Sequence, residues 1–115
     1  MAKPTSSSCA AFEAAIKVLG RPWTGLILRA LQGGPRRFSE LGEQMRGVGD
    51  KILSLRLKEL ESRGLLVRKV EAGPPVRVLY ELTPKGEACE HVIDAIERWG
   101  AELLEEDSKQ RRRLG

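Results

Sequence analysis

The chain has 115 residues, 41% of them hydrophobic and 31% charged. That is the make-up of one soluble globular domain, neither a disordered chain nor a multidomain one. No apolar run approaches the roughly 18 residues that cross a bilayer, MAKPTSSSC lacks the apolar stretch of a secretory signal, and two cysteines with one histidine exclude a disulfide framework or a four-cysteine zinc site. These features make the cytoplasm, on the nucleoid, the expected location; a net charge of +4 suggests an anionic partner, nucleic acid before membrane, but rules nothing in by itself.

Residues 1–8 are small, polar and proline-containing and read as a disordered N-terminus. A domain over residues 9–104 and a charged tail over residues 105–115 follow. From residue 9 to 19, Phe12, Ala15, Ile16 and Leu19 recur at helical spacing, and Gly20 ends the pattern. A second helical face holds Trp23, Leu26, Ile27, Ala30 and Leu31, closed by Gly33, Gly34 and Pro35. Residues 36–38 suffice only for a small strand or a turn. Ser39 is the expected N-cap of a short helix over residues 40–45, with Leu41 and Met45 inward.

Gly47 and Gly49 bracket a tight turn, and residues 50–63 form the most strongly patterned helix. At 100° per residue Leu53, Leu57 and Leu60 share one narrow arc, while Lys51, Leu55, Lys58 and Ser62 lie opposite, with Ser54 at the flank. Gly64 fits the position just past its end. The period then changes to two. Residues 66–70 read as a strand, Gly73, Pro74 and Pro75 as a turn, and Val76, Val78, Tyr80 and Leu82 alternate with Arg77, Leu79 and Glu81. Thr83 and Pro84 start the last helix, expected to end near residue 104. Cys89, Val92, Ile96, Trp99 and Leu103 make its apolar stripe, with Ile93 and Gly100 beside it.

The predicted fold class is α+β, mainly helical. Two helices joined by a glycine turn and followed at once by a hairpin are the winged helix-turn-helix arrangement. The second helix of such a pair can enter a major groove, and the hairpin can lie on the adjacent backbone or minor groove. The charge agrees with that use. Residues 36–58 and 63–80 carry +3 each, residues 81–107 carry −7, and residues 108–115 carry +4, so the body without the tail is neutral. Two solvated faces would give the same numbers. The outward face of helix 50–63 carries the donors Lys51, Ser54 and Lys58. Leu55 at its centre is either covered by a thymine methyl in the groove or is an isolated exposed leucine.

The segments RPWTGLILRAL, GPRRFSEL, KILSLRLKELESRGLL and VRVLYELTPKG, in this order and with Trp99-Gly100 near the end, resemble the HxlR-type winged-helix regulators of bacteria. The likeness spans residues 9–100. It implies a sequence-specific transcription factor, more often a repressor, that binds double-stranded DNA at an inverted repeat as a homodimer, its recognition helix in the groove. By resemblance, Arg37 and Ser39 contact phosphates, Lys51, Ser54, Leu55 and Lys58 face bases or the groove wall, and Lys69 and Arg77 serve the wing. Arg56 matches a recurrent family arginine, as either a structural ion pair or a phosphate contact. The first and last helices build the family dimer, here through Phe12, Ile16, Val92, Ile96, Trp99 and Leu103. Gly49 stands where the family often has serine, so the recognition helix cap is expected to pass to Asp50.

Cys9 occupies the position of the family's N-terminal cysteine, which some members use to sense oxidants, quinones or aldehydes. A thiol at a helix N-terminus near Lys3 and Arg21 has a physical reason for reactivity. The alternative is a small idle residue. Cys89, on the apolar stripe, reads as a core residue. No metal, cofactor or catalytic residue is expected, since the sequence has no phosphate loop and no paired Cys/His arrangement. His91 sits among acids as a surface residue. The arginine-rich tail reads as a disordered, non-specific phosphate binder. The rival reading is a winged-helix protein-interaction module without specific DNA binding, which would not need the donor-rich face of helix 50–63.

Overall fold

The leucine spacing that marks residues 50–62 as amphipathic has a direct physical outcome. In the computed structural model, which describes residues 7–114, Leu53, Leu57 and Leu60 are at most 2% exposed. They form the floor of one core with Ile27, Leu28 and Leu31, Leu41 and Met45, Leu66, Leu82 and Ile93. These residues come from α2 (Thr24–Gln32), α3 (Phe38–Gln44), α4 (Asp50–Ser62), β1 (Leu66–Glu71), β2 (Arg77–Leu82) and α6 (Glu90–Leu114). The remaining elements are α1 (Ser7–Leu19) and the single turn α5 (Pro84–Glu87).

β1 and β2 pair antiparallel in the register Leu66↔Leu82 through Glu71↔Arg77. Arg36 adds one isolated bridge: its amide donates to the Tyr80 carbonyl at 3.0 Å, and the Tyr80 amide donates back at 2.8 Å. Of residues 36–38, read as a small strand or a turn, Arg36 forms this bridge and Phe38 already belongs to α3. Only Leu66 and Leu82, at the base of the hairpin, are buried. The hairpin therefore projects from the body as a wing, and its alternation does not create a second buried face.

Local chemistry explains how the wing is anchored. Gly64 ends α4 at φ +75°, a left-handed conformation in which a side chain would be strained. Thr83 caps α5 by accepting the Gly86 amide at 3.2 Å while its hydroxyl donates to the Gly64 carbonyl at 2.6 Å. A Cβ on Gly86 would stand 2.0 Å from the Leu65 carbonyl oxygen, so only glycine lets α5 close over the entry to β1. One threonine and two glycines thus tie the end of α4 to the end of the wing.

Several expectations are corrected. The first six residues, including part of the N-terminus read as disordered and Lys3, lie outside the described residues, and Ser7 and Ser8 form the first turn of α1. Ser39 does not cap α3. The helix starts two residues earlier, at Phe38, with Arg37 as N-cap and the Arg37 amide donating to Glu40 Oε1 at 2.8 Å. Leu26, assigned inward, is 55% exposed. The inward face of α2 is Thr24, Ile27, Leu28 and Leu31, which puts Leu26 on the flank.

The last helix does not begin at Thr83-Pro84. α5 is one turn, and α6 starts at Glu90. It does not end near residue 104 either but continues to Leu114, so the tail is helical. Residues 102–114 are mostly strong helix formers without glycine or proline. Lys109 Nζ lies 3.8 Å from Glu105, one turn back. The arginines fall in the last turn, where positive charge opposes the helix dipole.

Candidate nucleic-acid interface

The interface residues come from α3, α4 and the wing. α4 turns Leu53, Arg56, Leu57 and Leu60 inward. Geometry then leaves Lys51, Leu55, Lys58 and Ser62 exposed on the opposite side, with Ser54 half-buried at the edge. Leu55 is 44% exposed, a large apolar side chain between two lysines. The N-terminus of α4 is also open. Gly49 is the N-cap and, among the described residues, no side-chain hydrogen bond caps the helix, so Asp50 does not take the cap as expected. Uncapped amides and the positive end of the helix dipole form a site where phosphate oxygens are favoured.

Arg37 and Ser39 are exposed at the start of α3. Arg37 Nε is 3.8 Å from Glu40 Oε1, a loose pair that leaves the guanidinium about half accessible. On the wing the register sorts the charges. Lys69 and Arg77 share a face with Glu71 and Glu81, and Lys69 forms an ion pair with Glu81. Arg68 points to the other face, opposite Tyr80, and is exposed. Sequence reasoning passed over Arg68, although the alternation starting at Leu66 separates it from Lys69.

Arg56 resolves to one of its two readings. It is 6% exposed, donates through Nε to the Pro22 carbonyl at 2.9 Å, and donates through Nη1 to Glu59 Oε1 at 3.1 Å. The other oxygen of Glu59 accepts from Arg21 at 2.8 Å. Arg56 therefore holds α4 against the turn between α1 and α2, and its guanidinium is turned away from the outward face. Sequence periodicity could not find this network, because Arg56 meets Pro22 across 34 positions.

The residues expected at a dimer contact form a second group. Phe12 and Ile16 on α1, and Val92, Ile96, Trp99 and Leu103 on α6, are 45–68% exposed. α1 buries no residue, and α6 buries only Ile93. Arg29 of α2 binds α6 through Asp94, at 3.1 Å, and Glu97. Cys9 lies in the first turn of α1 and is half-buried. Cys89 lies between α5 and α6, packed against the core, where burial pushes its thiol above the ordinary value of 9.0.

The model of the HxlR-like helix-turn-helix family matches residues 18–108. The chain belongs to this family. As an HxlR-like protein it is a DNA-binding transcription regulator, and its relatives are regulators rather than enzymes. The transcriptional regulator YodB of Bacillus subtilis is 38% identical over 100 residues, 87% of this chain and 89% of that protein. Its reduced form matches the fold with a TM-score of 0.73 at 38% identity, over 86% of this chain and 91% of that one. Quinone-bound YodB gives 0.70 at 37% identity, over 80% and 96%. The redox regulator HypR in its reduced form gives 0.77 at 29% identity, over 84% and 98%. With its small two-stranded sheet on a helical body, the HxlR-like chain has the winged helix-turn-helix fold expected from its element order. Among the described residues no helix is long and apolar enough to cross a membrane.

Proposed function

We propose that this HxlR-like protein is a homodimeric repressor that reads an inverted repeat in double-stranded DNA. The observation that carries the reading is the outward face of α4, where Lys51, Leu55 and Lys58 flank an uncapped helix N-terminus. α4 enters the major groove, with Ser54 at its edge and Leu55 against a thymine methyl. Arg37 and Ser39 contact phosphates. On the wing, Arg68 and Arg77 contact the backbone or minor groove, and Lys69 joins them by exchanging Glu81 for phosphate. The exposed apolar residues of α1 and α6 support the second copy, and two copies align two half-sites about one helical turn, roughly 34 Å, apart.

Cys9 is the redox- or electrophile-responsive residue in this reading. The support is its position on α1, the helix that also carries Phe12 and Ile16, together with the reduced and quinone-bound forms in which YodB has been solved. Oxidant should weaken DNA binding by wild type, and Cys9→Ser should abolish that response. An equal response in the serine variant removes Cys9 from the mechanism.

The deciding experiment is a gel-shift titration at several salt concentrations, using a duplex selected from a random pool. Each released phosphate counter-ion contributes roughly 0.9 to the slope of log K against log salt. Replacing Lys51, Lys58 and Arg77 by alanine removes six cations from a dimer, so the slope should fall by about 5 and the preferred site should be lost. Unchanged binding by the triple variant overturns the groove assignment and favours a protein-interaction module.

A further inference from the structure

The C-terminal end of α4 gathers more positive charge than it pairs. Both oxygens of Glu59 are taken, Oε2 by Arg21 at 2.8 Å and Oε1 by Arg56 at 3.1 Å. Lys17 on α1 and Arg63 just past α4 are exposed, and among the described residues neither has an acidic partner within 4 Å. Lys17, Arg21, Glu59 and Arg63 line one hollow of about 470 Å³ between α1 and the end of α4, and the apolar part of its wall is Val18 and the buried Leu60.

These cations are not needed to finish the helix. The carbonyls of Glu59, Leu60 and Glu61 accept the amides of Arg63, Leu65 and Gly64 at 3.0–3.2 Å, and the Ser62 hydroxyl also donates to the Glu59 carbonyl. Carbonyls that would otherwise attract a cation are therefore bonded within the chain. The hollow also lies apart from the proposed DNA and dimer surfaces. Around α1, Lys17 is about 100° from Ile16 and about 140° from Phe12. Along α4, Arg63 is about 18 Å from Lys51 at the opposite end.

We propose that this hollow binds a small organic dianion, a phosphate monoester or a dicarboxylate, that bridges α1 to α4. Three cations against one carboxylate leave a charge of +2 for the ligand to neutralise. The volume falls in the range of small-molecule sites, roughly 300–1,000 Å³, and Val18 and Leu60 offer apolar contact to a carbon body. The anionic group accepts from Lys17 and Arg63 and shares Arg21 with Glu59, in charge-assisted bonds. α1 buries no residue, so the bridge ties the helix that carries Cys9 to the recognition helix. As an effector site it deepens the regulatory function proposed above and rests on that reading, whereas the binding itself does not.

Calorimetric titration of the full chain at fixed ionic strength tests the proposal, with phenyl phosphate and succinate as probes and inorganic phosphate as the anion without a carbon body. At about pH 7.5 the monoester is a dianion. One of the two organic probes should bind saturably, once per chain and more tightly than inorganic phosphate; the tighter one identifies the class. The Lys17→Ala, Arg63→Ala double variant should weaken that binding about tenfold, each exposed charge pair contributing up to about fivefold. Lys85→Ala with Arg98→Ala removes the same charge elsewhere and should leave it within about twofold. Amide hydrogen exchange in α1 should slow at saturation. Saturable binding of neither organic probe overturns the proposal, as does equal weakening by the two double variants. Unchanged exchange in α1 overturns the bridge. In a gel shift without added anion, the Lys17, Arg63 variant should keep its site and salt slope; a slope shallower by about 1 or more makes these cations DNA phosphate contacts and overturns the ligand site. Failure of the DNA reading itself appears in the Lys51, Lys58 and Arg77 variant and leaves the calorimetry unaffected.

Discussion

Replacing Arg56 by alanine separates the two roles that an arginine on a recognition helix can have. The side chain is 6% exposed and makes two hydrogen bonds, to the Pro22 carbonyl at 2.9 Å and to Glu59 Oε1 at 3.1 Å. Alanine leaves the carbonyl without its donor, at a cost of about 1–3 kcal/mol, and also removes the packing of the long stem. Glu59 loses one of two arginine partners but keeps Arg21 and contact with water, being 34% exposed. The loss therefore stays below the roughly 3–5 kcal/mol of a broken, fully buried pair. A total of about 2–3 kcal/mol lowers the melting temperature by about 10 °C in a domain of this size. Thermal unfolding followed by circular dichroism, at matched protein concentration, measures that shift. A gel shift at low temperature, where the variant remains folded, measures DNA binding, which should keep its site and its salt slope. An unchanged melting temperature with lost affinity and a shallower salt slope would refute the structural role and make Arg56 a phosphate contact.

Three further outcomes follow from the geometry. Thr83→Ala removes both the cap on α5 and the bond to the Gly64 carbonyl and should cost about 1–2 kcal/mol in urea unfolding, with Thr83→Ser close to wild type. Leu55→Thr, on an exposed face, should change stability by less than about 0.5 kcal/mol but alter the bases recovered in a selection from random DNA; an unchanged preferred site would place Leu55 outside the groove. In a Cys9→Ser background, alkylation of Cys89 should reach half its maximal rate only above pH 9.0, because burial favours the neutral thiol. A midpoint at or below that value would show that the thiol is not desolvated.

Patterns that depend on near neighbours were legible in the sequence. The period of Leu53, Leu57 and Leu60 located the buried face of α4, and alternation located the wing. Gly64 marked the end of α4, and the capping hydroxyl of Thr83 was legible as a helix start, although the helix it caps is the single turn α5 and not the last helix. Features set by distant partners were not legible. Arg56 is inward because Pro22 and Glu59 meet it there, and Lys69 shares its charge with Glu81 across the hairpin. Arg68 was missed because charge was counted by segment, whereas the strand register decides the face. Glu40 bonds the Arg37 amide and so moves the start of α3 ahead of Ser39. The tail misled for another reason: a run of charges resembles disorder, but these side chains also favour helix.

α6 has 25 residues and buries one of them, Ile93. The Cα radius of gyration is 17.5 Å, against about 13 Å for a compact chain of this length. An unsupported helix is marginal in water, so under the homodimer reading the outer half of α6 would keep its shape in proportion to how often a second copy covers it. In a dimer that coverage follows mass action. The cellular abundance of such a regulator would then control its conformational integrity as well as its occupancy of DNA. Copies that go unpaired would expose a fraying, arginine-ended segment to proteases first, giving the cell a means of removing surplus protein.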